Sequence, residues 1–268
     1  MSLLDHERYC AAITDETALL RDTVRGADLT RTVPTCPDWT IGRLAVHVGQ
    51  AHRWVEAMVR DRAAEELPDD AEHIADYEPA AGADALDAWL ADGADKLAGA
   101  LRTAGAEQPM WSWARPQNAG FWARRMAMET VVHRADAAIA AERPYDPAPE
   151  LAADALDEWF ELATDPDAVA EDPRARELLG SGQTLHLHAT DVPGAEWLIV
   201  RDPDRLRWSR THAKADMALR ATLTDLLLVL QRRLSPDSPR LEIIGERALL
   251  DHWLARTAFG ASAEDETV

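Results

Sequence analysis

Lysine is nearly missing: Lys96 and Lys214 are the only two in 268 residues, so arginine carries almost all the positive charge. Positive charge is itself short, with 28 Lys and Arg against 48 Asp and Glu and a formal net charge of −20. A field of that sign repels phosphate backbones and anionic membranes, so nucleic acid and lipid surfaces are disfavoured as partners. Small molecules remain. Cysteine is scarce as well; Cys10 and Cys36 cannot build a disulfide framework and are expected as reduced thiols. No apolar run approaches the roughly 18 residues of a membrane span, and the longest candidate, Leu226 to Leu230, has the length of a core segment. The opening MSLLDHERYC lacks a basic stretch followed by an apolar one. No signal peptide is therefore expected, and a cytoplasmic location is. A glycine-rich phosphate loop and a Gly-x-Ser-x-Gly elbow are both missing, which removes the corresponding nucleotide-binding and serine-hydrolase readings.

What is present is ordinary globular composition, 47% hydrophobic and 28% charged, in a chain long enough for one large domain or two. The first half reads as helices. Apolar residues recur at helical spacing from Leu3 to Val24, where Gly26 stops the helix, and again from Thr40 to Arg62 through Ile41, Leu44, Val48, Ala51, Val55 and Val59. Thr32 to Asp38 holds Pro34 and Pro37 and is expected as a connection, with Asp38 or Thr40 capping the second helix. Glu65 to Ala83 is acidic and is expected as an exposed connection. A third helix fits Asp84 to Leu101, capped by Asp84 and ended by Gly105, and a fourth fits Gly120 to Ala141. Four helices of this kind suggest a bundle.

The second half changes character. After a helix at Glu150 to Leu162, short strands are expected at Gln183 to Ala189, Glu196 to Val200, Leu206 to Trp208, Met217 to Ala221 and Leu241 to Ile244. Helices at Thr224 to Arg233 and Arg247 to Thr257 complete the segment, followed by a polar tail. The fold class is α+β, with the boundary between a helical part and a small α+β part near residues 145 to 150.

Chemistry concentrates in the second and fourth helices. Glu129 and His133 are four residues apart, so both side chains leave one helix face a turn apart. That spacing offers two ligands to one ion, and it equally makes a solvated surface pair. Met126, Val132 and Ala137 turn the pair at least partly toward the bundle interior. His47 lies beside an apolar stripe among Leu44, Val48 and Ala51, as a core histidine with one hydrogen bond or as a third ligand.

The segment Cys36-Pro37-Asp38-Trp39-Thr40 through Leu44 to His47 resembles the start of the second helix in the mycothiol-dependent maleylpyruvate isomerase family, within the DinB/YfiT-like superfamily. Asp38 stands where that family usually carries glycine. Glu129-Thr130-Val131-Val132-His133-Arg134-Ala135-Asp136 is similar to its fourth-helix signature, Glu-x-x-x-His-Arg-x-Asp, and Ala215-Asp216, the Leu-rich helix and Leu241 to Gly245 resemble its C-terminal domain. The resemblance implies a DinB-like four-helix bundle over residues 1–147 and a small, sterol-carrier-protein-like α+β domain over 148–268. It also implies His47, Glu129 and His133 as ligands of a divalent metal, zinc, with mycothiol as the thiol cosubstrate. Two imidazoles and a carboxylate leave a fourth position open, as in catalytic zinc sites. In the family's reference reaction a thiolate adds to the double bond of maleylpyruvate, the resulting single bond rotates, and elimination gives fumarylpyruvate. The substrate is a dianion, so a cation must meet the developing enolate. Arg233 falls where the family pattern carries an arginine, with Arg232 one position away and a plain helix-end arginine as the simpler role for either. Asp136 fits an orienting role behind a ligand or a helix-end charge.

The expected activity is therefore isomerisation or thiol transfer. A metal hydrolase, with water at the open position, and a non-catalytic binding module fit the same residues. His186 and His188 share one face of a strand, with Leu185 and Leu187 on the opposite, core face, so both histidines are expected on the solvent side. His52 is turned away from the face of His47. Cys36 has no evident base nearby. Trp39, Trp111, Trp113 and Trp122 are expected to fill core and pocket walls.

Overall fold

A computed structural model describes residues 4–68 and 82–257. Leu3, most of the acidic connection and the polar tail lie outside the described residues. The chain divides into two compact units, Met1–Asp146 and Pro147–Val268.

Among its described residues the first unit holds four long helices. Helix α1 (His6–Val24) starts where Asp5 accepts a hydrogen bond from the Arg8 amide at 2.8 Å, and ends at Arg25 with Gly26 in the left-handed region. The segment expected as a plain connection is a two-stranded antiparallel hairpin instead, β1 (Thr32–Val33) and β2 (Cys36–Thr40). Pro37 is tolerated there because a two-stranded ribbon has only edge strands, whose outward amides need no ladder partner. Thr40, one of the two capping candidates, accepts from the Arg43 amide and starts α2 (Ile41–Asp61). Helix α3 (Ala83–Ala104) starts behind Gly82 without a side-chain cap, so Asp84 sits in the first turn and does not cap it. Asn118 caps α4 (Ala119–Ala140) by accepting from the Phe121 amide at 3.0 Å.

Helices α1 and α2 each pack against α3 and α4. Ile41, Leu44 and Val48 of α2 join Leu20, Val24, Val33, Ala137 and Ala140 in one core cluster. Helix α4 is buried on nearly all sides, with His133, Arg134 and Asp136 among its buried residues, so its sequence shows no single apolar stripe. Gly49 lets α3 come close: a Cβ there would lie 2.0 Å from the Trp89 ring. The Arg53 guanidinium then stacks 3.9 Å over that indole and donates to the Trp89 carbonyl.

The second unit is a five-stranded mixed sheet with helices. Helix α5 (Pro149–Ala163) and two short helices, α6 (Pro166–Glu171) and α7 (Pro173–Arg176), precede it. The strands are β3 (Gln183–Ala189), β4 (Glu196–Arg201), β5 (Leu206–Ser209), β6 (Met217–Ala221) and β7 (Glu242–Gly245), in the order β5-β4-β3-β6-β7. Only the β3–β6 pair is parallel. Helix α8 (Leu223–Leu230) crosses between β6 and β7, and α9 (Arg247–Arg256) follows β7. One sheet face supplies Leu185, Leu187, Trp197, Ile199 and Leu219 to the core, all at most 1% exposed. Trp197 keeps its indole N–H satisfied by donating to Asp157 at 2.7 Å.

Among the described residues no helix is long and apolar enough to cross a membrane.

Candidate metal centre

Helices α2 and α4 bring His47, Glu129 and His133 together, with one ligand atom of each within 4.8 Å of the others. Glu129 Oε1 lies between the two imidazoles, 3.2 Å from His47 Nε2 and 3.0 Å from His133 Nε2. The other carboxylate oxygen accepts from Arg125 Nη2 at 3.2 Å, one helical turn back on α4. Behind His133, Nδ1 faces Asp136 Oδ2 at 2.9 Å, and Asp136 Oδ1 accepts from the Thr35 hydroxyl at 2.5 Å. Asp136 is fully buried, which excludes a solvated helix-end charge and fits the orienting role. Trp39 closes one side, its ring centroid 4.6 Å from His47 and 6.0 Å from His133.

Both ring nitrogens of His133 face carboxylate oxygens, which only accept. The ring must therefore carry both protons when no cation is present. Burial alone would lower its pKa, but the Glu129 charge and the Asp136 hydrogen bond overcome this and raise it to about 9. Glu129 moves the other way: burial pushes it up, yet His133, His47 and Arg125 together hold it well below the ordinary carboxylate range. Removing one proton from His133 Nε2 frees its lone pair, and the Nδ1–H tautomer of His47 supplies a second, so that two imidazole nitrogens and a carboxylate surround one point. That donor set fits a divalent cation of the zinc type with a position left open.

The chain matches the family model described as the mycothiol maleylpyruvate isomerase N-terminal domain over residues 10–138, and the model of that family's C-terminal domain over residues 150–252. It belongs to the mycothiol-dependent maleylpyruvate isomerase family. A crystal structure of the mycothiol-dependent maleylpyruvate isomerase superimposes with a TM-score of 0.57 at 16% identity, covering 91% of this chain and 95% of that one. A histidine-to-alanine variant of that isomerase gives 0.55 at 14% identity over the same shares. At such identities the likeness speaks for the fold. No curated protein sequence matches the chain.

Within the family's fourth-helix signature, the residues divide their work. Arg134 serves the bundle: its guanidinium pairs with Glu16 at 2.5 Å, with both side chains at most 5% exposed. His52 stays outside the triad as expected, fully buried and donating from Nε2 to Thr130 at 2.9 Å, and burial holds its pKa down to about 4. Arg125 and Thr35 had not been singled out from the sequence. The i−4 spacing of Arg125 from Glu129 was a usable signal; nothing local marked Thr35, which reaches Asp136 only because the hairpin folds over α4.

Arg233 does not end the Leu-rich helix. Helix α8 stops at Leu230, Arg232 takes a left-handed conformation, and Arg233 follows in the turn, donating from Nη1 to the Gln231 carbonyl at 2.7 Å. Trp113 is 46% exposed and fills no core, whereas Trp111 and Trp122 meet Trp54 edge-to-face in an aromatic cluster.

His186 departs most from expectation. It is 4% exposed, not solvent-facing, and it converges with His188, Glu196 and His212 on a second cluster.

Proposed function

We propose that the chain is a zinc-dependent isomerase that uses a low-molecular-weight thiol, mycothiol, on a maleylpyruvate-like dianion, with thiol transfer as the related activity of the same centre. Membership of the family and the convergence of His47, Glu129 and His133 on one point carry this reading. When bound, the cation supplies an open coordination position whose charge lowers the pKa of a thiol.

The chain's own residues prepare that position. Asp136 holds a proton on His133 Nδ1, which turns the Nε2 lone pair toward the ligand point. Thr35 fixes Asp136 from behind, and Arg125 holds the second oxygen of Glu129 so that the first stays aimed between the histidines. Trp39 excludes water from one side. A thiolate held there would supply a nucleophile for reversible addition to the substrate's double bond, with the electron pair passing to the conjugated carbonyl oxygen and returning after rotation, so that the thiolate is released and the trans isomer formed. No oxidant or net proton is consumed. Arg233 is proposed as the cation that meets the enolate charge. Two free cysteines agree with a reducing, cytoplasmic setting.

The test is turnover of maleylpyruvate by the zinc-loaded protein with and without mycothiol. Isomerisation that requires both zinc and thiol supports the proposal. Turnover unchanged by omitting the thiol, or none with both present, would overturn it.

A further inference from the structure

In the second unit, β3 and β4 form an antiparallel hairpin in which His188 pairs with Glu196 and His186 with Leu198. Residues two apart on a strand and residues directly opposite share one face. His186, His188 and Glu196 therefore stand together on the face away from the hydrophobic core. His212 joins them from the connection between β5 and β6.

The contacts centre on one atom. Glu196 Oε2 lies 2.9 Å from His186 Nε2, 3.1 Å from His188 Nδ1 and 2.5 Å from His212 Nδ1. The three rings surround it with centroids 5.3 to 6.2 Å apart. A carboxylate oxygen has two lone pairs, so three ring nitrogens oversubscribe it as a hydrogen-bond acceptor. All four donor atoms fall within 4.8 Å of one another. Tetrahedral zinc, with bonds to nitrogen and oxygen near 2.1 Å, sets its ligand atoms roughly 3.4 Å apart. Small rotations of these side chains meet that spacing.

We propose that His186, His188, Glu196 and His212 form a second zinc site, closed by four protein ligands and structural in role. A set of four leaves no position for substrate, unlike the three-residue centre in the first unit. Its effect is to tie the β5–β6 connection to the β3–β4 hairpin. The His186 side chain is 6% exposed and that of His212 is 73% exposed, so the ion enters and leaves on the His212 side. The proposal is independent of the function proposed above.

The experiment is elemental analysis of the untagged full chain, loaded with zinc and dialysed, with folding checked by circular dichroism. The parent is expected to hold two zinc ions per chain. His212→Ala, which truncates an exposed side chain, and His188→Ala should each hold one. His47→Ala should also hold one, and His47→Ala combined with His212→Ala none. In the His47→Ala protein, cobalt(II) should give a tetrahedral visible spectrum that is lost on adding His212→Ala. Parent-level zinc in both His212→Ala and His188→Ala would overturn the second site while leaving the first centre standing. Loss in those two variants, with His47→Ala unchanged from the parent, would do the reverse.

Discussion

Zinc binding at the three-residue centre should expel a proton from His133, and its strength should follow pH accordingly. In the metal-free protein the ring donates to Glu129 and Asp136 at once, and its pKa is raised to about 9. At pH 7.5 roughly 97% of such a group carries the extra proton. A cation requires the neutral imidazole, so apparent affinity should rise about tenfold per pH unit from pH 7 to 8.5 and level off above 9. The same shift carries a stability consequence. The folded pKa lies above the unfolded value near 6.5, so the interaction stabilises the metal-free protein fully below pH 6.5 and is lost as pH rises through 9. Its size is on the order of 3 kcal/mol for a ring this buried. Competition against a chromophoric chelator at several pH values measures the slope, using the His212→Ala protein so that one centre titrates. Affinity flat from pH 7 to 8.5 would refute the paired-carboxylate account of His133.

Three further outcomes follow from packing and charge. Arg134→Met strands Glu16, whose pKa burial already raises, and should cost about 3–5 kcal/mol in urea unfolding; a loss below ~1 kcal/mol would show the pair to be dispensable. Gly49→Ala places a methyl against the Trp89 ring and should cost about 1–3 kcal/mol or more by the same assay, and an unchanged midpoint would contradict the packing described for α2 on α3. Arg233→Ala should leave zinc content unchanged and raise KM for an anionic substrate by about 10–100-fold, the worth of one hydrogen bond to a charged group; an unaltered KM and kcat would remove Arg233 from the proposed site.

Helices α1, α2 and α3 were legible because each has a one-sided apolar stripe, with Gly26 after α1 and Gly105 after α3 as chemical stops. The β1–β2 hairpin was not, since Pro34 and Pro37 read as breakers and only the register across Val33 and Cys36 makes a ribbon of them. The triad could be proposed from Glu129, His133 and His47 because a helix fixes which faces residues four apart share. Its supports are long-range: Thr35 and Asp136 are 101 residues apart. Strand alternation correctly separated His186 from Leu185 and Leu187. The error lay in equating the face away from the core with solvent, and His212, which completes the cluster, sits in a connection without any periodic signal.

The central claim is that a thiol enters the open position of a cation held by His47, Glu129 and His133. X-ray absorption at the zinc edge tests it directly, on the His212→Ala protein loaded with one zinc, before and after mycothiol. The account predicts nitrogen and oxygen neighbours alone at first, then a new zinc–sulfur distance of about 2.3 Å with the thiol present. A spectrum that keeps only nitrogen and oxygen neighbours at saturating mycothiol would contradict it.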